Sequence, residues 1–264
     1  MDRTSIIGVI LGFLAIGIGM VLKGVSIGAL LNPAALLIIF LGTAASLFIA
    51  FPYQEIKKFP TLMKILFTEE KLITEKDLIP LFKDWAGIAR KEGLLALEPQ
   101  VEDIDEPFLK HGMKMVIDGQ PPEFIREILE EDLDAMEDRH RAGASIFSQA
   151  GTYAPTLGVL GAVIGLVAAL GNLDDIDALG PAIAAAFIAT LFGIFSGYVL
   201  WHPFANKLKR KSQREVRMKQ IMIEAILAIQ SGVSARVIED KILTYIPSRE
   251  RHIESSEGGE AFDV

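Results

Sequence analysis

The 264-residue sequence contains no cysteine. That absence excludes a disulfide framework, a thiolate metal site and cysteine-based nucleophilic catalysis. Histidine is scarce. His111, His140, His202 and His252 are scattered without metal-ligand spacing. There is no P-loop, no G-x-G-x-x-G opening a helix after a strand, and no H-E-x-x-H. The GTY and GVLG segments lack the strand–turn–helix setting of a hydrolase elbow. An enzyme is therefore not expected, and neither is a metal or an organic cofactor. Period-two alternation is missing, so strands are not expected either. Positive charge is in deficit: the net charge of −8 argues against a general nucleic-acid binder.

Charge is also absent from four long stretches, although charged residues make up 23% of the chain and apolar ones 51%. Ser5–Leu22, Pro33–Phe51, Ala150–Leu170 and Pro181–Trp201 contain no Asp, Glu, Lys, Arg or His. Each is long enough for a membrane span, which needs roughly 20 apolar residues. The first is read as a span and not a signal peptide, because Met1-Asp2-Arg3 is barely basic and Lys23-Gly24-Val25 is a poor cleavage site. The fold class expected is an all-α integral membrane protein with four transmembrane helices and a helical cytoplasmic domain. Along the chain this gives spans one and two in 1–52, a cytoplasmic loop in 53–149 and spans three and four in 150–203. A cytoplasmic extension (204–247) and a disordered tail (248–264) follow.

Lysine and arginine set the orientation. Lys57 and Lys58 follow the second span, Arg139 and Arg141 precede the third, and seven basic residues between Lys207 and Lys219 follow the fourth. The short links between spans hold only Lys23, and the second link carries Asp174, Asp175 and Asp177. Both termini and the large loop are therefore expected in the cytoplasm. The basic run after the fourth span is read as topological, not as a nucleic-acid patch.

The loop reads as helical. Thr74-Glu75-Lys76-Asp77 resembles a capping box. Leu78, Leu81, Phe82, Trp85 and Ile88 then share one face up to Arg90. Gly93 interrupts, and Leu94–Glu98 continues before Pro99. A short helix over Phe108–Asp118 ends at Gly119, and a long acidic one over Glu123–Gln149 runs into the third span. After the fourth span Phe204–Ala228 continues as helix to Gly232, and Ser234 caps a last helix to Tyr245. Gly8/Gly12, Gly161/Gly165 and Gly193/Gly197 are GxxxG pairs that permit close helix approach, within the chain or between chains.

Within the spans the polar inventory is hydroxyls alone: Thr43, Ser46, Thr152, Tyr153, Thr156, Thr190, Ser196 and Tyr198. An ion crossing hydrocarbon normally needs an ionisable group. If the protein conducts ions, another polypeptide must supply that carboxylate. Pro155 lies inside the third span and frees a backbone carbonyl there.

The segments AGTYAPTLGVLGAVIGLV, GYVLWHPFANKLKRKS and ARKEGLLALE, with LKG and NPAA near the N-terminus, resemble the MotA family of flagellar stator subunits. The likeness runs to about Pro247. More distantly, the third and fourth spans resemble the proton-channel subunits ExbB and TolQ. The resemblance implies a pentameric ring around a dimer of a single-span MotB-like partner, whose membrane aspartate is the missing carboxylate. It implies residence in the bacterial inner membrane and torque on the rotor switch protein FliG. The family's rotor-contact arginine and glutamate fall on Arg90 and Glu98, and its two prolines on Pro155 and Pro203. The alternative is an ExbB/TolQ-like energiser of an outer-membrane partner. Sodium-driven relatives carry a threonine in a G-T-x-I-G-L motif that works with one in the fourth span. Here Ala162 replaces the first and Thr190 keeps the second, so the coupling ion expected is the proton. A further oxygen for the path could come from Thr156 or from the partner's residues.

Overall fold

A computed structural model describes residues 2–69, 73–171 and 176–245. Asp174, Asp175 and the 248–264 tail lie outside the described residues. All regular structure among the described residues is helical. Among the described residues, four helices are long and apolar enough to cross a membrane: Arg3–Leu22, Pro33–Ala50, Pro122–Leu170 and Leu179–Gln230. The protein divides into two compact units.

The first unit comprises Met1–Glu70 and Asp138–Lys211. Its first helix, α1 (Arg3–Leu22), is capped by Asp2, whose Oδ1 accepts from the Ser5 N–H at 3.4 Å. Gly24, at φ 73°, lies just past its end. The second span, α2 (Pro33–Ala50), starts with Pro33 in its first turn and Asn32 as cap. Asn32 also donates through Nδ2 to the Ala185 carbonyl of the fourth span at 3.3 Å, so one side chain caps one span and ties it to another. Phe51, extended before Pro52, ends α2. Then comes α3 (Phe59–Phe67), with Phe59, Leu62, Met63, Leu66 and Phe67 spaced along one face. That face packs on an aromatic cluster. Phe59 stacks on Phe147 at 5.1 Å between centroids, and Phe67 meets Phe204 edge-on at 5.8 Å.

Charges gather at one point of this unit. The Asp2 carboxylate accepts from Lys207 Nζ at 2.9 Å and lies 3.7 Å from Lys211 Nζ. Lys211 Nζ donates to the Ile65 and Thr68 carbonyls at 2.6 Å each, satisfying the C-terminal end of α3. The Asp2 N–H donates to the Phe67 carbonyl at 3.0 Å. Burial alone would raise the Asp2 carboxyl. Hydrogen bonds from Lys207 and Thr4 outweigh it and hold the group well below the usual carboxylate range.

The second unit comprises the described residues of Lys71–Glu137 and Ser212–Val264. Helix α4 (Glu75–Glu92) opens on the expected capping box, with the Thr74 N–H donating to Asp77 Oδ2 at 2.9 Å. Its apolar face buries Leu78, Phe82 and Trp85. Pro99 does not end the following stretch. Leu94–Leu97 is a 3-10 turn, and Pro99 sits in the first turn of α5 (Glu98–Glu102), where its missing N–H costs nothing. Then come α6 (Pro107–Ile117) and α7 (Pro122–Leu170), whose residues up to Glu137 belong here and whose later ones belong to the first unit. The fourth span begins as α8 (Ile176–Phe195) and passes through a π segment, Ser196–Trp201, into α9 (His202–Gln230). Last is α10 (Ala235–Leu243), with Ser234 in the cap position but no side-chain cap bond. The core of the second unit joins Phe82, Trp85, Leu97, Met113, Leu129 and Ile226 with their neighbours.

Candidate functional site

The third and fourth spans approach each other through small residues. A Cβ on Gly193 would meet the Ala154 carbonyl at 2.7 Å and Gly158 Cα at 2.8 Å. A Cβ on Gly161 would meet Ala189 Cβ at 3.1 Å, and one on Gly165 would meet Ala186 Cβ at 3.0 Å. The reciprocal Gly158–Gly193 contact is backbone against backbone, a separation only glycine allows. Of the GxxxG glycines, Gly12, Gly161, Gly165, Gly193 and Gly197 are thus used within the chain, whereas Gly8 has nothing within 4 Å.

Pro155 lies at the tightest part of this seam. A Cβ on Gly197 would meet Pro155 Cγ at 2.6 Å and the Gly151 carbonyl at 2.8 Å. Gly151 is four residues before Pro155, so its carbonyl is the one left without a ladder donor. Gly197 belongs to the π segment, and Pro203 explains why that segment forms near the end of the span. Lacking an N–H, Pro203 cannot donate to the Val199 carbonyl, and the chain relaxes to i+5 spacing there. Both prolines therefore act on one short stretch of the span pair. Pro155 is half-buried and Pro203 exposed.

Ala162 and Thr190 directly follow Gly161 and Ala189 in sequence, so they flank the same inter-span contact, both half-buried. The hydroxyls of Thr152, Thr156 and Ser196 each donate to their own helix, to Ser148, Thr152 and Phe192 carbonyls at 3.1, 3.2 and 2.7 Å. Among the described residues Thr190 makes no such bond. Thr152, Thr156, Val159 and Val163 lie along one exposed stripe of the third span. The stretches Ser5–Leu22, Pro33–Phe51, Ala150–Leu170 and Pro181–Trp201 contain no Asp, Glu, Lys, Arg or His, and no His, Asp or Glu group among the described residues could hold a metal ion.

In the second unit, Arg90 occupies the last turn of α4 and Glu98 the first turn of α5, both exposed. Between them Gly93 takes φ 91°, a conformation that favours glycine, and Leu97 is fully buried. The buried leucine fixes the segment while the two charges face water. Sequence reasoning missed the Asp2–Lys207–Lys211 cluster, since it joins residues about 200 positions apart. It also missed α3 as a separate amphipathic helix, although its i, i+3, i+4, i+7 spacing was a readable signal.

The MotA/TolQ/ExbB proton channel family matches residues 100–221. Across 99% of this chain and 96% of the relative, 61% of residues are identical to Motility protein A of Bacillus subtilis (strain 168). The chain belongs to the MotA/TolQ/ExbB proton channel family. The fold agrees with solved members. The flagellar MotAB stator complex from Bacillus subtilis contains a chain that superposes with a TM-score of 0.92 at 61% identity, over 96% of this chain and 99% of that one. The C. jejuni MotAB structure gives 0.89 at 31% identity, over 94% and 97%.

Proposed function

We propose that this chain is the stator subunit of a flagellar motor and turns ion flow into torque on a rotor. One observation carries the reading: a near-full-length likeness to the chain of a flagellar stator complex, in a protein whose four apolar stretches hold no carboxylate, lysine, arginine or histidine. A single-span MotB-like partner supplies the titrating aspartate and lies against the exposed Thr152–Val163 stripe. The subunits form a pentameric ring around two such partners in the inner membrane. Both termini and the 53–149 loop lie in the cytoplasm in this reading, which the basic residues flanking the spans support. There Arg90 and Glu98 face the charged surface of the rotor protein FliG. Their fixed, water-facing placement on a buried scaffold supports this role.

Protons drive the cycle. As the partner's aspartate changes charge, the Pro155–Gly197–Pro203 stretch shifts the fourth span against the third and passes that motion along α9. An energiser of an outer-membrane partner would need no exposed charged segment of this kind. The test is a strain lacking this chain and its neighbouring single-span partner. Swimming should be lost and should return only when both are supplied. Undiminished swimming, with loss of an outer-membrane uptake function instead, would assign the chain to the ExbB/TolQ side of the family.

A further inference from the structure

The first unit contains a cavity of about 460 Å³ between the end of α2, the start of α3 and the helices carrying Ile146 and Trp201. Its volume falls within the ~300–1,000 Å³ of small-molecule sites. Phe40, Leu47 and Ile146 make its wall apolar. Two lining groups are nevertheless polar and orphaned. Thr43 is 4% exposed and its Oγ1 has no hydrogen-bond partner, and the same is true of the buried Trp201 Nε1. A buried polar group left unpaired costs about 1–3 kcal/mol. Indole N–H only donates, and a threonine hydroxyl can donate, so both are suited to an occupant that carries acceptor oxygens. A purely hydrocarbon occupant would leave both unsatisfied.

The remaining feature is charge. Among the described residues that line the cavity, Lys57 is the one ionised group, and no carboxylate accompanies it. Lys57 is exposed, lies six residues past Phe51 at the end of the second span, and stands near the exposed Tyr53, also in the lining. Aromatic and lysine residues at this level mark the lipid headgroup region. We propose that the cavity binds one anionic phospholipid. An acyl chain fills the apolar wall, an ester oxygen accepts from Trp201 Nε1 and the Thr43 hydroxyl, and the phosphate sits on Lys57. The site lies at the joint between α2 and α3. The inference rests on the membrane placement of the spans and is independent of the torque reading and of which side faces the cytoplasm.

Trp201 reports on the site directly. The full chain with Trp85→Phe keeps Trp201 as its only tryptophan. It is placed in phosphatidylcholine nanodiscs doped with equal fractions of brominated phosphatidylglycerol or brominated phosphatidylcholine, and quenching of Trp201 is compared. The anionic probe should quench about fivefold more effectively at low doping, the preference expected of one lysine beside an anionic headgroup. Lys57→Glu should abolish that preference without changing quenching by brominated phosphatidylcholine, and Ala44→Phe, which fills the cavity, should weaken both. Native mass spectrometry of the chain with Trp85 intact should show a retained phosphatidylglycerol that Lys57→Glu loses. Equal quenching by the two probes overturns the anionic site. Absence of quenching by either overturns lipid occupancy and assigns the cavity to a neighbouring protein surface. A chain that fails to enter nanodiscs would instead contradict the membrane reading itself.

Discussion

In the membrane unit, a Cβ on Gly193 would lie 2.7 Å from a backbone carbonyl; in the second unit, Gly93, Gly119 and Gly232 have open space around them and φ of 91°, 73° and 68°. The same residue serves two ends. Between spans it removes volume, because lipid gives apolar helices little reason to associate and close van der Waals contact must do so. In the second unit it lets the backbone turn left-handed and stop a helix, because a water-filled surround already drives burial of Trp85, Phe82 and Leu97. Charge divides similarly. In the first unit ionised groups gather at span ends, above all at Asp2, whereas in the second they pair across exposed helix faces such as Arg126–Glu224 and Lys83–Glu239. Each unit has an exception: Gly112 in the second would bring its Cβ to 2.6 Å from Ile226 Cδ1, and Gly24 in the first sits in open space at φ 73° past the end of α1.

The sharpest way to break this contrast is to add side chains. Gly193→Leu should remove the protein from the membrane, because the atoms it meets are backbone and cannot rotate aside. Gly193→Ala should cost about 1–3 kcal/mol, the range for overpacking, read as a lower melting temperature of the full chain in detergent. Gly8→Ala should change stability by less than about 0.5 kcal/mol, as nothing lies within 4 Å of it. Equal damage at both positions would show that Gly8 packs against another chain and that the GxxxG pairs serve assembly too.

Reversing Arg90 and Glu98 together should abolish swimming while leaving the amount and melting temperature of the protein unchanged. Both side chains face water, and surface substitutions usually stay within about 0.5 kcal/mol. Single neutralisations should slow swimming, by less at high ionic strength, because exposed charges are already screened beyond about 10 Å at 0.1 M salt. Motility counts and speeds in the double-reversal strain decide it. Unchanged swimming removes both residues from the rotor surface.

The two ion clusters should differ in the same sense as the two units. Asp2 is 14% exposed and Lys211 15%, so Asp2→Asn strands partly buried ammonium groups and should cost about 2 kcal/mol. Glu224→Gln should cost about 1 kcal/mol, since Arg126 and Lys241 are each 42% exposed and can turn to water. Burial alone would raise the Glu224 carboxyl, but hydrogen bonds from Arg126 and Lys241 bring it below its usual value. Asp2 is lowered likewise. A carboxyl whose folded pKa lies below its unfolded one stabilises above the unfolded value and loses that contribution as pH falls through the folded one. Melting temperature should therefore hold from neutrality to about pH 5 and fall below about pH 4. Asp2→Asn should flatten that fall more than Glu224→Gln does. The reverse ranking would mean that the membrane-border cluster is better solvated than its geometry indicates.

How much of this was legible depended on whether the governing interactions were local. The four spans follow from uninterrupted apolar runs, and the Thr74–Asp77 box and the stops at Gly93, Gly119 and Gly232 follow from residues within one turn of each other. Pro99 misled because proline reads equally as a helix end and a helix start, and only the buried Leu97 before it decides which. The Pro155–Gly197 contact and the Asp2–Lys207 pair were not legible, since each joins segments set side by side by packing and not by spacing. Arg90 and Glu98 were found through family likeness; as isolated charges they carry no signal of their own.

The smallest expected effect is a null one. Replacing sodium by potassium at constant ionic strength and proton-motive force should leave swimming speed unchanged. Sodium sheds part of its water to pass, so its path needs several oxygens close together, whereas a proton needs a carboxylate and a hydrogen-bonded chain. At the level where Gly161 meets Ala189, the third span offers Ala162, which has no oxygen, and the fourth offers Thr190. Thr156 is the next hydroxyl along the third span, and its proton is already committed to the Thr152 carbonyl at 3.2 Å. Among the described residues Thr190 makes no bond into its own helix. Thr190→Val should therefore slow a proton-driven motor modestly through lost hydrogen bonding, and Ala162→Thr should not confer sodium dependence unless the partner supplies further oxygens. Speed that collapses without sodium, and that survives a protonophore when sodium is present, would place a complete oxygen cage in the partner and move the selectivity of the motor out of this chain.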